Sequence, residues 1–332
     1  MTLRLVRLSA AFVLGVALAV ASFVVPSATA DDLYPTRPIT VLVPFPPGGS
    51  SDIVMRIVSQ KASEILKQPI IIENRSGGAG NVAAAVIKHA PPDGYLLMMG
   101  HTGTHAINPS LYPNLNFDPV KDFQPVVPLI SFNNILLVPA DSPAKSVKDL
   151  VALAKSKHEG LSYGSQGIGT GGHLLGELLA KHAGIKLLHV PYRGIAPAVT
   201  DAVAGRVDMI FSSYISSAGY IESGKLRMLA TSGTTRHPRI PDVPTMAEAG
   251  YPEVHMEQWF GLFAPAGTPR DIVDKLNGAY VSALNSEAVK ERVLPQVATV
   301  IPGTPEDLDA LMKRDIARLG KVVKDSGAQV PQ

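Results

Sequence analysis

The 332-residue chain has no cysteine. That absence excludes thiol catalysis, thiolate metal sites, disulfides and a lipid-modified cysteine. A chain of this length buries enough apolar surface to fold without disulfides even in an oxidising compartment. An excess of charge of one sign is missing too. Thirty basic residues face 28 acidic ones, for a net charge of +2. There is no basic run of the kind that nucleic-acid binding requires. Beyond the first thirty residues no stretch offers the ~18 uninterrupted apolar residues of a membrane span. Hydrolytic signatures are lacking as well, with no G-x-S-x-G and no P-loop. Ser142 to Lys145 spells S-x-x-K, but Pro143 spoils its helical presentation and the partner motifs are absent. The chain is therefore expected not to be an enzyme, to carry no cofactor and to bind no nucleic acid.

The amino terminus has what the rest lacks. Arg4 and Arg7 precede a continuous apolar stretch over residues 10–25, and Ala28-Thr29-Ala30 forms an A-x-A site. This is the pattern of a cleaved secretory signal peptide over residues 1–30. Removing Arg4 and Arg7 leaves 28 basic against 28 acidic residues. The mature chain, starting near Asp31, is expected in the periplasm as a soluble monomer.

The remaining chain alternates short β-branched runs with amphipathic stretches, which predicts an α/β fold. Strands are expected at 39–43, 69–73 and 95–99, with helices at 51–67 and 81–89 between them. That βαβαβ order marks a doubly wound parallel sheet. An irregular stretch rich in proline and asparagine is expected over 108–128. A second series then follows, with strands at 135–138, 161–163, 187–190, 207–211 and 226–231 and a helix at 146–156 capped by Ser146. Residues 259–263 read as a further strand, and helices close the chain at 269–284 and 305–324. Two βαβ series predict two lobes: residues 31–130 with 251–332, and an inserted lobe over 131–250. Crossing segments near 128–135 and 245–260 would form a two-segment hinge.

Ligands in such sheets bind beyond the carboxyl ends of strands, where helix N-termini converge. The first candidate junction is the loop holding Phe45, Pro46, Gly48, Gly49, Ser50 and Ser51. Its glycines let backbone approach a ligand, and its serines serve as caps or donors. Asp52 reads more readily as a structural cap. The second junction, residues 100–105, offers the hydroxyls of Thr102 and Thr104 beside Gly103. His101 and His105 have metal-ligand spacing, but Gly103 and the preceding strand make a helix doubtful, and no carboxylate completes the set. No metal is expected. The third junction includes Ser165, Gln166, Gly169 and Thr170. It contains a literal G-x-G-x-x-G at Gly167, Gly169 and Gly172. The acidic residue a dinucleotide fingerprint needs about twenty positions on is missing, so an anion loop is the better reading. The fourth junction contributes Tyr192 as a wall and Arg193 as an anion partner or an ordinary surface charge. Asp208, near the strand at 207–211, completes the candidates as an acceptor or a structural cap.

These residues also carry a resemblance. The blocks Val43 to Gly49, Glu73-Asn74-Arg75, Pro92 to Tyr95, Asn108 to Tyr112, His189 to Gly194, Pro241 to Thr245 and Ala264 to Pro269 together resemble the Bug-type (TctC-like) periplasmic receptors of tripartite tricarboxylate transporters. The resemblance implies a type II periplasmic-binding-protein fold that closes on a small organic carboxylate. It also implies capture through loop backbone, hydroxyls and waters rather than an arginine clamp, and delivery to integral-membrane transporter subunits. Carried over by position, the implied ligand segments are Phe45 to Ser51, Thr102 to Thr104, Ser165 to Thr170, and Asp208. His101, Gln166 and Met209 stand where such receptors vary. A carboxylate sensor of the same fold is the alternative.

Overall fold

Runs of isoleucine, valine and leucine form strands, and the helices between them each bury one apolar face. The computed structural model describes residues 34–330, so the expected signal segment, its cleavage near Ala30 and the start at Asp31 lie outside the described residues. β1 (Ile39–Val43), α1 (Ser50–Leu66), β2 (Ile70–Asn74), α2 (Asn81–Lys88) and β3 (Leu96–His101) follow in order, and β1 pairs in parallel with both β2 and β3. A π-helical turn, Gly103–Ile107, runs directly into α3 (Asn108–Leu111). His101 thus ends β3 while His105 lies in the π turn, so the two histidines do not share a helix. The wider π turn begins right after the strand, with Gly103 at its start.

The second series comprises α4 (Val147–Ser156), β5 (Leu161–Ser165), α5 (Gly171–Ala183), β6 (Leu187–Pro191), α6 (Ile195–Val203), β7 (Met209–Ser213), α7 (Tyr214–Glu222) and β8 (Leu226–Thr231). The chain ends with β9 (Glu257–Pro265), α8 (Arg270–Asn285), α9 (Glu287–Val293), β10 (Ala298–Val300) and α10 (Pro305–Ser326). Ser146 caps α4 by accepting from Asp149 N, and Thr304 with Asp307 forms a full capping box on α10. Each such cap is worth about 1 kcal/mol. Among the described residues no helix is long and apolar enough to cross a membrane.

β4 links the two series and is much longer than its sequence suggests. It runs from Phe123 to Pro139, although residues 108–128 read as irregular. Proline cannot donate to a β ladder and is confined to edges and bulges. Here the pairing with β9 shifts register between Pro125 and Val127 and again between Pro128 and Ile130. The prolines sit at these irregularities, and the strand continues past them. Phe123 to Asn133 pair with β9, while Asn134 to Pro139 pair with β7 and β8. The strand order is β2-β1-β3-β9-β4-β7-β5-β6, with β8 and β10 also on β4.

Successive β4 residues face opposite sides of the sheet. Leu136 and Val138 join one core with Tyr163, Leu175, Phe211 and Trp259, whereas Ile135 and Leu137 pack with Ile195, Val199 and Ile210. Fully burying such a side chain is worth roughly 1.5–3 kcal/mol. The carboxy-terminal helices are anchored by polar contacts as well. Asn277 Nδ2 donates to Val126 O and Gly303 O, and Trp259 Nε1 donates to the buried Asp315 at 2.9 Å.

Candidate functional site

Parallel strands end where the following helices begin, so the β–α junctions of each series gather at one end of their strands. After β1 the chain turns through Phe45 and Gly48 into α1. Gly49 is the N-cap residue, and Ile53 N donates to Gly49 O, which leaves Ser51 and Asp52 N–H without intrahelical acceptors. The carboxylate of Asp52 folds back to accept from Gly48 N and Asn74 Nδ2 and pairs with Arg56. Burial works to raise its pKa, but the bonds from Arg56, Asn74 and Gly48 outweigh it and hold the carboxyl below its usual range. Asp52 therefore shapes this loop.

A junction that the sequence reading passed over lies beside it. Between β2 and α2, Gly77, Gly78, Ala79 and Gly80 all have positive φ. Ala79, at φ 51°, is a non-glycine residue in the left-handed region, a conformation that costs energy and clusters at functional sites. Its carbonyl meets His101 Nε2 at 3.2 Å, while Gly103 N donates to His101 Nδ1 at 3.0 Å. Nδ1 thus accepts and Nε2 carries the proton. Burial keeps this ring neutral, its pKa pushed down to about 4. His101 ties two junction loops together, and its ring packs on Phe45 with centroids 4.9 Å apart. The signal was present as the Gly77–Gly80 cluster between a strand and a helix.

The hydroxyls proposed as ligand donors face inward. Thr102 Oγ1 accepts from Trp259 N at 2.8 Å, and Thr104 Oγ1 donates to His101 O and meets His105 Nδ1 at 2.7 Å. Ser165 Oγ lies 2.6 Å from His189 Nε2 and accepts from Gly167 N, and Thr170 Oγ1 donates to Gly167 O at 2.7 Å. All four side chains are buried. In this structure these hydroxyls engage neighbouring backbone and side-chain groups, as short hydroxyls readily do. What they do is hold the loops in shape. Behind Ser165, the rings of His189 and His173 stack at 4.3 Å. Burial pushes His173 to about 4 and His189 to about 3, the latter lowered further by His173.

Asp208 also stands apart. It precedes β7 and accepts from Ser162 N and Ser162 Oγ, both at 2.7 Å, with Lys157 Nζ at 3.2 Å. Ser162 lies near the start of β5, whereas Ser165 ends it. Burial favours the neutral acid, yet the bonds from Ser162 and Lys157 hold its pKa below the ordinary value. In this structure Asp208 caps the start of β5, the end opposite Ser165. Among the described residues no group of three or more histidines and carboxylates could hold a metal ion.

The remaining junction groups meet across the two strand series. Tyr112 Oη donates to Ile168 O at 2.9 Å, and Ser50 N donates to Ser216 Oγ at 3.0 Å. A Cβ on Gly194 would come within 2.7 Å of the Pro46 ring, and one on Gly169 would lie 2.2 Å from Asn108 Oδ1. Between them is a cleft of about 440 Å³. Phe45, Tyr112, Ile168, Pro191 and Tyr192 give it apolar walls, and the backbone of Gly77 to Ala79 and Gly167 borders it. Gln166 and Arg193 supply its polar side chains together with Ser76. Of the predicted residues, then, Phe45, Gln166 and Tyr192 line the cleft directly. Pro46, Gly48, Gly49, Ser50, Ser51, Gly103 and Gly169 build the loops around it. Gln258 adds a feature the sequence did not flag: its buried amide nitrogen lacks a partner and sits against Gly171 at the start of α5.

Comparison with known proteins places this geometry. Residues 54–328 match the family described as "Tripartite tricarboxylate transporter family receptor". Protein BugT of Bordetella pertussis is 34% identical over 322 residues, covering 96% of this chain and 97% of that one. The R. palustris protein Rpa4515, solved with adipate, superposes with a TM-score of 0.86 at 36% identity, covering 90% of this chain and all (100%) of that one. MatC from Rhodopseudomonas palustris, solved with bound malate, gives 0.84 at 35% identity over 87% and 100% of the two chains. The fold is accordingly the α/β architecture of the periplasmic binding proteins of this type. The chain belongs to the receptor family of the tripartite tricarboxylate transporters.

Proposed function

We propose that this protein is a periplasmic receptor that captures a small organic carboxylate between two lobes and hands it to the membrane subunits of a tripartite transporter. The observation that carries the reading is the meeting of junction loops from both strand series around one cleft, bridged by Tyr112–Ile168 and Ser50–Ser216. In this reading the first lobe holds β1 to β3, β9 and the carboxy-terminal helices, and the second holds β5 to β8. The hinge is formed by β4 and by the return segment between β8 and β9. The relatives solved with adipate and malate support a carboxylate as cargo. Capture is assigned to loop backbone and to the first turns of α1 and α5, whose N–H groups favour an anion.

A hydrogen bond to a charged group is worth about 1.5–3 kcal/mol. Several of these, after ordering costs, reach the roughly −8 kcal/mol of micromolar affinity. Neither lobe's loops alone surround so small a ligand, so binding requires closure. The test is a thermal-shift screen of refolded, ligand-free protein against a carboxylate panel, followed by small-angle scattering with the tightest ligand. A binder should raise the melting temperature by mass action and reduce the radius of gyration. Tight binding without compaction would remove the closure step, and no binder across the panel would remove the receptor reading.

A further inference from the structure

A second cavity, of about 510 Å³, shares no lining residue with the cleft. It lies against the segments assigned above to the hinge. The buried Ser232 in its lining joins them, accepting from Asn134 N at 3.0 Å and donating to Met256 O at 2.9 Å. Three guanidiniums line this cavity against one carboxylate, the exposed Glu257. Arg314 and Arg318 come from α10, and both donate through Nε to one oxygen of the buried Asp315 at 3.2 Å. A single carboxylate thus answers two cations. Among the described residues their η nitrogens donate no hydrogen bond. Arg236 comes from the return segment, where Glu248 and Pro241 O hold it and leave one η nitrogen uncommitted. The hydroxyls of Thr234, Thr235 and Thr299 have no partner among the described residues either.

From these groups we infer that the hinge cavity is a second anion site, taking a phosphate or pyrophosphate oxyanion rather than the carboxylate cargo. A guanidinium fork engages phosphate oxygens in pairs, and hydroxyl donors suit those left over. A carboxylate has too few oxygens to serve guanidiniums from two elements, whereas a phosphoryl group presents more and the cavity has room for two such groups. Because Arg236 lies on the return segment and Arg314 and Arg318 on α10, an anion held by both bridges the hinge to the first lobe. It then favours the form in which the junction loops touch. α10 is also tied back to those loops. Asp315 accepts from Trp259 Nε1 at 2.9 Å, and Trp259 N donates to Thr102 Oγ1 at 2.8 Å. The bridging step rests on the two-lobed receptor reading; the site itself does not.

The experiment is calorimetry with inorganic phosphate and pyrophosphate, in a buffer free of carboxylates, on the wild type, Arg314→Gln, Arg236→Gln and Glu257→Gln. Pyrophosphate should bind about tenfold more tightly than phosphate if it reaches both arginine groups. Arg314→Gln and Arg236→Gln should each weaken it by about tenfold. In Arg314→Gln the buried Asp315 keeps Arg318 as its cation. Glu257→Gln removes the opposing charge and should tighten binding about threefold or more, a gain that no loss of fold imitates. Small-angle scattering should show a smaller radius of gyration with pyrophosphate in the wild type but not in Arg236→Gln. No binding of either anion, or affinities equal in the wild type, Arg314→Gln and Glu257→Gln, would overturn the site. Binding without compaction would overturn the bridge. Since no carboxylate enters these measurements, an empty carboxylate panel leaves the site standing, and loss of the site leaves the receptor reading untouched.

Discussion

Tyr112 and Ile168 are joined by a 2.9 Å hydrogen bond from a phenol on one strand series to a backbone carbonyl on the other. Tyr112 closes the helical segment that follows β3, and Ile168 lies in the loop between β5 and α5. In the closure reading this bond is made as the cleft shuts, and it contributes only to the shut form. A neutral hydrogen bond is worth about 0.5–1.5 kcal/mol net. Tyr112→Phe should therefore weaken ligand binding by roughly two- to tenfold, mainly by faster dissociation. Stopped-flow release kinetics would check this, and an unchanged off-rate would show that the bond is not part of closure.

Ser165 makes a different prediction from the one its sequence position invites. Its hydroxyl is committed to His189 and Gly167, so Ser165→Ala leaves a partly buried imidazole nitrogen and a buried backbone N–H without their partner. An unsatisfied buried group costs about 1–3 kcal/mol. The variant should lose stability in the absence of ligand, seen as a lower denaturation midpoint, and bind about tenfold more weakly because the loop is misshapen. Weakened binding at full stability would instead place the hydroxyl on the ligand.

Gly169 tests how closely the two series approach. Its φ is +89°, and a Cβ there would lie 2.2 Å from Asn108 Oδ1. Gly169→Ala combines left-handed strain with an overlap that costs roughly 1–3 kcal/mol. Binding should fall by at least about tenfold, while the ligand-free protein, free to open, should melt within a few degrees of the wild type. Equal losses in both would mean that the contact persists without ligand.

Three buried histidines and the partly buried His189 set an acid limit. Burial pushes His101 and His173 down to about 4 and His105 and His189 to about 3. Their folded values lie below the unfolded value near 6.5, so the unfolded chain binds protons that the folded protein refuses. Stability is full above pH 6.5 and declines as pH falls toward about 4, by up to ~1.4 kcal/mol per pH unit for each histidine. Melting curves between pH 7.5 and 5 should show this decline, and His189→Gln should make it shallower. A melting temperature flat over that range would contradict the neutral assignment.

Much of the fold was legible because it depends on period and punctuation. Ile39 to Val43, the helix after Gly49 and the Ser146 cap all announce themselves locally. β4 did not, because Pro125 and Pro128 are strand breakers until a partner strand shifts register around them. The site was legible as a set of junctions, but the direction of its side chains was not. By residue type Thr102 looks like a ligand donor and Asp208 like an acceptor, yet Trp259, 157 residues away, and Ser162 engage them. Such long-range partners leave no trace in the local pattern. The Gly77–Gly80 junction was missed for the opposite reason, since it offers backbone with hardly a side chain to notice.

The single strand from Phe123 to Pro139 has a consequence for any attempt to dissect the molecule. Because it supplies a ladder to β9 at one end and to β7 and β8 at the other, no cut in the gene separates two intact sheets. A fragment ending before Phe123 lacks both β4 and β9 and leaves β3 with an unpaired edge, and one beginning after Pro139 leaves β7 with one. Exposed edges of that kind invite aggregation. The two strand series are therefore inseparable as cloning units.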